Sequence, residues 1–402
     1  MMKKSLITLI ASLFPVFGCQ NIDCIVIDSK SDSCKVLDLD PVFDKYVFSI
    51  KDIVDTINVV ALETTPSSIL SNIDLIKMKE DYIIIKDSYQ NGNISVFDNV
   101  GRFVCRLPHG NGPGEINSVL SFDIDEHCIY TLQREKVNKY SFYGDFIESY
   151  PVVEMHNMYF DGIKAIDGGF LLSVRPYNSR MCKYEVLHVD NAFKKKNLFA
   201  FDHHFVGYSG REDFMMLQNQ IIFFPTMSNT VYQFDGNTFK PLYMLKYPKH
   251  ANTFETNPDC SGGSSNFISK HCIDNKFFPE GRIFQSTTVY FLPFLDGSKL
   301  YRVFLDSKSG KFRSGIFINN IKEDISVWIL SNFRVEYTFN DYLVQILPTE
   351  YYLHETSSFG GNHLEESVSQ LQHISDEDKQ KILNAKEDDN PLIIMYKLKS
   401  IE

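Results

Sequence analysis

The sequence predicts an all-β fold, a six-bladed β-propeller of four-stranded antiparallel blades, on two observations. A motif of β-forming residues, a turn and a return strand recurs, with first residues Val96, Tyr140, His188, Tyr232 and Phe304. The successive steps are 44, 48, 44 and 72 residues, and a four-stranded blade takes about 40–45 residues. Aromatic residues make up 14% of the chain, almost all of them Phe and Tyr, which favour strands.

The clearest copy of the motif lies in Ile94–Glu115. Ile94–Gly101 has the alternation of a strand and then the Asp, Asn and Gly of a tight hairpin turn. Gly110–Glu115 holds three Gly and one Pro, so it predicts a connector between blades. A phosphate loop would require a helix after it. Strand-like residues, Val119–Asp125, follow instead.

Other segments complete the predicted blades. Continuous apolar runs predict strands that are buried on both faces between neighbouring blades. These runs are Tyr82–Ile85, Phe122–Ile124, Ile129–Leu132, Phe170–Leu172, Ile221–Phe224 and Val289–Leu292. Phe333–Phe339 and Tyr342–Leu347 predict the start of the sixth blade. Pro391–Leu398 predicts a last strand beside an N-terminal one, which would close the ring and remove an open edge.

Two insertions interrupt the repeat. The long fourth step is explained by residues 250–270, whose Asn, Thr, Ser and Gly content predicts an exposed loop. Residues 363–387 have helical spacing of apolar residues and a capping sequence that begins at Ser375. We expect two short helices there, before the last strand.

The N-terminus predicts export. Residues 1–18 hold two lysines and then an apolar run, as in a signal peptide. The run is too short for a spanning helix. It ends in Val16-Phe17-Gly18-Cys19, which resembles a lipobox with Cys19 as the lipid attachment site; a plain secretory signal is the alternative. We expect residues 19–40 to be a tether and residues 41–402 to form one propeller domain.

The net charge limits the classes of partner, and the cysteine content predicts a free thiol. The formal net charge is −11, which argues against nucleic acid or an anionic membrane surface as the main partner. It is compatible with cations, neutral glycans or peptides. Seven cysteines remain besides Cys19, so outside the cytoplasm at least one is a free thiol. A disulfide between Cys260 and Cys272 is one option, and Cys105 and Cys128 fit small buried positions.

The chain resembles a group of six-bladed β-propeller lipoproteins of unknown function, which are related to NHL-repeat propellers. The resemblance is carried by Leu62–Thr65, Ile94–Gly101, Gly110–Glu115, Phe122–Asp125 and Asn390–Ile394. It implies the fold and a location in the cell envelope. It implies no catalytic residue and no cofactor.

Four residues are candidates for ligand binding near the axis of the ring. Asp123 and Asp125 would share one face of an extended inner strand and offer hard oxygen ligands to a cation such as Ca²⁺; a hairpin turn is the alternative role. Arg175 and Arg282 have the geometry to bind a carboxylate or phosphate. Surface ion pairing is the alternative for both.

A polar connector supplies three more candidates, His203, His204 and Arg211. Adjacent histidines on a strand point to opposite faces, so they would share a ligand only in a loop; a solvated connector is the alternative. No metal site is predicted from cysteine or histidine spacing. Gly207–Gly210 lacks the spacing of a nucleophile elbow.

These features predict a lipoprotein anchored in the cell envelope, at the outer membrane, that acts as a binding or protein-interaction module. A protein or glycan partner fits, and the chain would be a monomer or a subunit of an envelope complex. Lyase or hydrolase activity on glycans or peptides is the alternative, supported by fold analogy alone. A structural subunit is a third option.

Overall fold

A computed structural model describes most of the propeller. The described residues are 22–23, 26–28, 34–39, 53–87, 92–152, 158–176, 184–191, 194–201, 214–225, 229–247, 277–279, 281–296, 299–315, 335–350, 353 and 363–401. The predicted signal segment, Cys19, the 250–270 insertion and the Cys260–Cys272 option lie outside them. Among the described residues, no helix has the length and apolar character needed to cross a bilayer.

The strands form six sheets arranged as six blades. Three short strands precede the ring: β1 (Ile22–Asp23), β2 (Val26–Asp28) and β3 (Lys35–Asp38). The first outer strand is β4 (Val54–Ala61). Blade 1 consists of β5 (Ile73–Lys79), β6 (Tyr82–Asp87), β7 (Asn93–Asp98) and β8 (Phe103–Arg106). Blade 2 consists of β9 (Ser121–Ile124), β10 (Cys128–Leu132), β11 (Lys136–Ser141) and β12 (Phe146–Pro151). Blade 3 consists of β13 (Met158–Ile166), β14 (Gly169–Pro176), β15 (Tyr184–Asp190) and β16 (Lys195–Phe201).

The second half of the ring has the same plan. Blade 4 consists of β17 (Phe214–Leu217), β18 (Gln220–Phe223), β19 (Thr230–Phe234) and β20 (Phe239–Lys246). Blade 5 consists of β21 (Phe277–Pro279), β22 (Phe284–Ser286), β23 (Val289–Asp296), β24 (Lys299–Asp306) and β25 (Lys311–Gly315). Blade 6 consists of β26 (Val335–Phe339), β27 (Tyr342–Leu347), β28 (Leu392–Leu398) and the N-terminal β4. The predicted six-bladed propeller is confirmed.

The repeated motif marks the same hairpin in five blades. Its copies begin in the third strand and return in the fourth, at β7–β8, β11–β12, β15–β16, β19–β20 and β24–β25. The inner strands β5, β9, β13, β17, β22 and β26 lie next to each other in turn around the axis. Each copy of the repeated motif therefore corresponds to one blade.

The buried apolar side chains of the described residues form six clusters, one between each pair of neighbouring blades. The second strands contribute to the clusters on both of their faces. In β6, Ile84 packs between blades 1 and 2, whereas Ile83 and Ile85 pack between blades 6 and 1. This two-sided burial explains why the second strands are continuously apolar. Cys105 and Cys128 also lie in inter-blade clusters as free thiols.

The two ends of the domain meet in blade 6. β28 pairs antiparallel with β4 over Leu392–Leu398, so the predicted closure of the ring is confirmed. The junction is held by Asn390, which is 2% exposed. Its side-chain amide donates to the carbonyls of Glu63 and Ser68 at 2.8 and 3.1 Å and accepts the Leu70 N–H at 2.8 Å.

Parts of the segment predicted as a tether, 19–40, are described and form strands. β3 pairs parallel with the outer strand β20 of blade 4, and β2 pairs with β3. β1 pairs antiparallel with the outer strand β25 of blade 5. The Lys246–Asp38 ion pair, 2.9 Å between Nζ and Oδ2, joins β20 to β3. This part of the chain is thus bound along the rim of the ring.

The predicted helices are α1 (His363–Gln370) and α2 (Asp376–Asn384). Ser375 caps α2, as its capping sequence predicts, by accepting the Asp378 N–H at 3.1 Å. The helices lie against the outer edge of blade 6. There the Ile57 N–H donates to the His373 carbonyl at 2.7 Å, and Lys381 Nζ donates to the Val59 carbonyl at 3.0 Å.

Two hairpin glycines provide a matched test of how blades 6 and 1 pack. Gly101 and Gly236 lie in third-to-fourth-strand turns with φ of 94° and 95°. A Cβ at Gly101 would lie 2.1 Å from the Ala61 carbonyl oxygen, whereas a Cβ at Gly236 would have nothing within 4 Å. We expect G236A to cost about 1 kcal/mol of unfolding free energy, for the positive φ alone. We expect G101A to cost several times more.

Urea unfolding of the two variants checks this prediction. The difference between them isolates the clash with β4, because the backbone strain is shared. Equal unfolding free energies for G101A and G236A would contradict the close approach of the two blades at Ala61.

Candidate functional site

The inner strands place charged side chains at one matching position in half of the ring. In each blade, it is the third residue before the two-residue turn that joins the first two strands of the blade. Blades 1, 2 and 3 carry Lys77, Asp123 and Lys164 there. Blades 4, 5 and 6 carry Met215, Phe284 and Tyr337 there. At this position, therefore, the side chains are charged in blades 1 to 3 and apolar or aromatic in blades 4 to 6.

Lys77, Asp123 and Lys164 form one buried cluster, the axial triad. Lys77 Nζ lies 2.8 Å from Asp123 Oδ1, and Lys164 Nζ lies 2.9 Å from Asp123 Oδ2. The Ala165 N–H also donates to Asp123 Oδ2 at 2.8 Å. The side-chain exposures are 4%, 1% and 16% for Lys77, Asp123 and Lys164. One carboxylate therefore joins three successive blades.

The electrostatics of the axial triad keep Asp123 ionised. Burial by itself would raise the pKa of the Asp123 carboxyl, but the charges and hydrogen bonds of Lys164 and Lys77 hold that pKa below its usual value. Both carboxylate oxygens are occupied by protein donors. In this conformation Asp123 acts as the shared acceptor of the triad.

Asp125 has a different role from Asp123. Its Oδ1 accepts the main-chain N–H groups of His127 and Cys128 at 2.7 and 2.8 Å, and its Oδ2 accepts the Tyr130 hydroxyl at 2.6 Å. Burial raises the pKa of the Asp125 carboxyl, but these hydrogen bonds, led by that from Tyr130, bring it below its usual value. Burial, and then the hydrogen bond to Asp125, raise the pKa of Tyr130. Asp125 thus caps the inner hairpin turn of blade 2.

The two aspartates considered for a cation are therefore engaged with different protein groups. Across the described ranges, no three His, Cys, Asp or Glu side chains are placed to hold a metal ion together. The Lys partners of Asp123 were not singled out in the sequence. Aligning the inner hairpins on their turns would have placed Lys77, Asp123 and Lys164 in one column.

Of the other candidates, only Arg282 has a described side chain. Its Nη1 lies 3.5 Å from Glu336 Oε2, and the two side chains are 11% and 13% exposed. This ion pair links blade 5 to blade 6. Arg175 lies in β14, opposite Tyr159 of β13. His203, His204 and Arg211 lie outside the described residues, so their predicted roles stay predictions.

The outer rim of the ring is also divided into two halves. The outer strands of blades 4 and 5 pair with β3 and β1, and the outer strand of blade 6 lies under α2 and His373. In blade 1, the Phe103 N–H donates to Glu63 Oε2 at 2.9 Å. In the described part of the chain, no strand pairs with the outer edges of β8, β12 and β16 in blades 1, 2 and 3.

Blade 2 exposes apolar side chains beside this open edge. Tyr143 is 68% exposed in the turn before β12, and Phe146 and Ile147 are 42% and 49% exposed in β12 itself. Glu148 and Ser149 follow and are also exposed. We call these five residues the blade-2 rim. Exposed aromatic and aliphatic groups in contiguous positions are typical of interaction sites.

The blade-2 rim rests on the connector that the sequence analysis identified. Tyr140 of β11 donates its hydroxyl to the Gly114 carbonyl at 3.0 Å. A Cβ at Gly114 would lie 2.6 Å from Cγ of Phe146, so the glycine lets the aromatic ring approach the main chain. Glu115 Oε2 accepts the Gly112 N–H at 2.7 Å. The Gly-rich connector thus supports the outer strand of blade 2, and a strand follows it, as predicted.

A family profile described as a domain of unknown function, DUF4934, matches residues 34–397. The chain belongs to the DUF4934 family. The DUF4934 match takes in the ring and β3. No curated protein matches the chain. The predicted likeness to NHL repeats stays a prediction.

Solved structures are similar to this DUF4934 chain to different degrees. A candidate exported protein of Bacteroides fragilis NCTC 9343 matches with a TM-score of 0.68 at 16% identity, over 91% of this chain and all of the other. The extracellular domain of a candidate one-component system of B. thetaiotaomicron matches with a TM-score of 0.33 at 13% identity, over 65% of this chain and 29% of that one. The WD40 domain of Neurospora crassa Pan2 has the same score and identity, over 68% and 75%.

Proposed function

We propose that this DUF4934 chain is an exported, lipid-anchored propeller that acts as a protein-interaction module. The N-terminal segment supports export, with its two lysines, apolar run and Gly18-Cys19 pair. The similar structure from Bacteroides fragilis is also named as a candidate exported protein. Attachment of acyl chains at Cys19 would provide firm anchoring, which a single chain does not.

The observation that carries the interaction role is the uneven cover of the outer rim. The chain covers the outer edges of blades 4, 5 and 6 with its own strands and helices. No described strand pairs with the outer edges of blades 1, 2 and 3, and in blade 2 that edge lies beside the exposed Tyr143, Phe146 and Ile147. Exposed edges are sites for pairing with another chain unless they are protected. A partner protein bound at blade 2 would cover the outer edge of β12 and the apolar side chains beside it.

Photo-crosslinking in cells tests the interaction role. A photo-reactive amino acid replaces Tyr143, and the control carries it at Asn237, an exposed position in the corresponding turn of blade 4. We expect a discrete crosslinked product at position 143 and none at position 237. Absence of any product at 143, or equal products at both positions, would overturn the assignment of the surface.

Fractionation of the same cells tests the anchor. We expect the chain in the membrane fraction, and we expect the Cys19→Ala variant in the soluble fraction, because the acylated thiol is absent. Retention of Cys19→Ala in the membrane fraction would contradict lipid attachment at Cys19 and leave the crosslinking result unaffected.

A further inference from the structure

The outer strand of blade 2, β12, has the same geometry as the outer strand of blade 4, β20, which pairs with the added strand β3. In blade 4, the outer strand β20 has a bulge at Leu242 and then pairs with β3 over Tyr243–Lys246. In blade 2, the outer strand β12 has its bulge at Ile147. The bulge follows the Tyr140–Phe146 pair, as the bulge of β20 follows the Tyr232–Pro241 pair. Aligned on their bulges, Ser149 of β12 corresponds to Met244 of β20.

The hydrogen-bonding directions of the two strands also agree. The Leu245 N–H donates inward to the Asn229 carbonyl, and the Lys246 carbonyl accepts outward from the Leu39 N–H. In β12 the Val152 N–H donates inward to the Glu135 carbonyl. Main-chain groups alternate in direction along a strand, so Ser149 and Pro151 direct theirs outward. In their outward main-chain groups, the two edges differ in the N–H that Pro151 lacks.

Charge distinguishes the two edges. β20 ends in Lys246, and the strand that it accepts supplies Asp38 at 2.9 Å. β12 carries Glu148 and no basic residue. The exposed Glu148 accepts the Tyr150 hydroxyl at one oxygen, Oε2, at 2.8 Å and lies opposite Lys139 of β11. A strand that binds β12 in the same way would therefore be complementary if it carried Lys or Arg. The exposed Phe146 and Ile147 would favour apolar residues next to those charges.

We propose that β12 accepts an extended, basic and apolar segment of a partner protein as a fifth strand of blade 2. Main-chain hydrogen bonds to Ser149 and Pro151 would provide the affinity, and Glu148 and the apolar side chains would provide selectivity. This inference rests on the proposed interaction function. It adds the chemical class of the partner segment and its mode of binding.

Peptide binding to the purified full chain tests the inference. The probe is a short peptide of alternating valine and threonine with lysine at both ends, and a second probe has glutamate at both ends. We expect the lysine peptide to bind about tenfold more tightly than the glutamate peptide, because its charges attract Glu148, whereas the charges of the glutamate peptide repel Glu148. A lysine peptide methylated on alternate main-chain nitrogens should not bind, because it cannot form the strand pairing.

Two protein variants with the same change in charge complete the test. Glu148→Lys should weaken binding of the lysine peptide about tenfold, whereas Glu126→Lys, at an exposed position in the inner turn of the same blade, should leave it unchanged. Failure of the lysine peptide to bind, equal binding of the methylated peptide, or equal effects of both variants would overturn strand addition. A crosslink at position 143 in cells, obtained with any of these failures, would retain the interaction function and exclude this mode of binding.

Discussion

Replacement of Asp123 by alanine is expected to lower the free energy of unfolding by about 3–5 kcal/mol, the cost of removing one partner from a buried ion pair. Lys77 and Lys164 would then face each other across a buried space without the carboxylate between them. The Ala165 N–H would lose its acceptor as well. Urea unfolding followed by circular dichroism measures the loss.

Asp376→Ala is the control for this prediction. Asp376 is fully exposed in the first turn of α2, and its Oδ1 lies 3.9 Å from Lys379 Nζ. Its removal should cost less than about 1 kcal/mol. If Asp123→Ala unfolded at the same urea concentration as the native chain, the axial triad would have no role in holding blades 1, 2 and 3 together.

The same carboxylate predicts a pH dependence with a definite sign. The pKa of Asp123 is lower in the folded chain than its ordinary value, which is about 3.9 when unfolded. Its contribution to stability is therefore complete above about pH 4 and is lost as the pH falls through the lower folded pKa. Asp123→Asn, which has no proton to bind in this range, should show a shallower loss of stability on acidification than the native chain. Parallel acid unfolding curves for the two would contradict the triad electrostatics.

Replacement of Asn390 by alanine should have the second large effect. The change removes two donors and one acceptor from a buried site and leaves Leu70 N–H and the carbonyls of Glu63 and Ser68 without those bonds. Each orphaned buried group costs about 1–3 kcal/mol, and we expect a total loss of about 3 kcal/mol after partial relaxation. Asn390 joins the start and the end of the ring, so its loss should weaken closure.

Asn99→Ala provides the matched control, because Asn99 is exposed and its side chain makes one hydrogen bond, 3.1 Å to the Glu80 carbonyl. We expect it to cost less than about 1 kcal/mol. Asn390→Asp keeps the acceptor for Leu70 but loses both donors, so its stability should lie below that of the native chain. A native-like melting temperature for Asn390→Ala would argue against the ring junction as an important source of stability.

The candidate site was only partly accessible to prediction from the sequence. Asp123 was singled out because it lies in an inner strand near the axis, and the structure places it there. Its partners Lys77 and Lys164 lie 46 and 41 residues away along the chain. No local pattern marks a lysine that will be buried against another blade. The blade-2 rim was missed because Phe146 and Ile147 resemble ordinary strand residues, and their exposure depends on what covers the edge.

The sequence by itself determined the blades of this protein. Turn residues and β-forming runs act over a few positions, so the hairpins, the connector at Gly110–Glu115 and the capped helix at Ser375 could be predicted where they occur. The closure of the ring was predicted because the last strand, Pro391–Leu398, was expected to lie beside an N-terminal strand. Only the tertiary structure decided which outer edges are covered and which charged residues meet at the axis. Those features depend on contacts between blades, where the free energy comes from the burial and pairing of residues far apart in the chain, and no short segment records them.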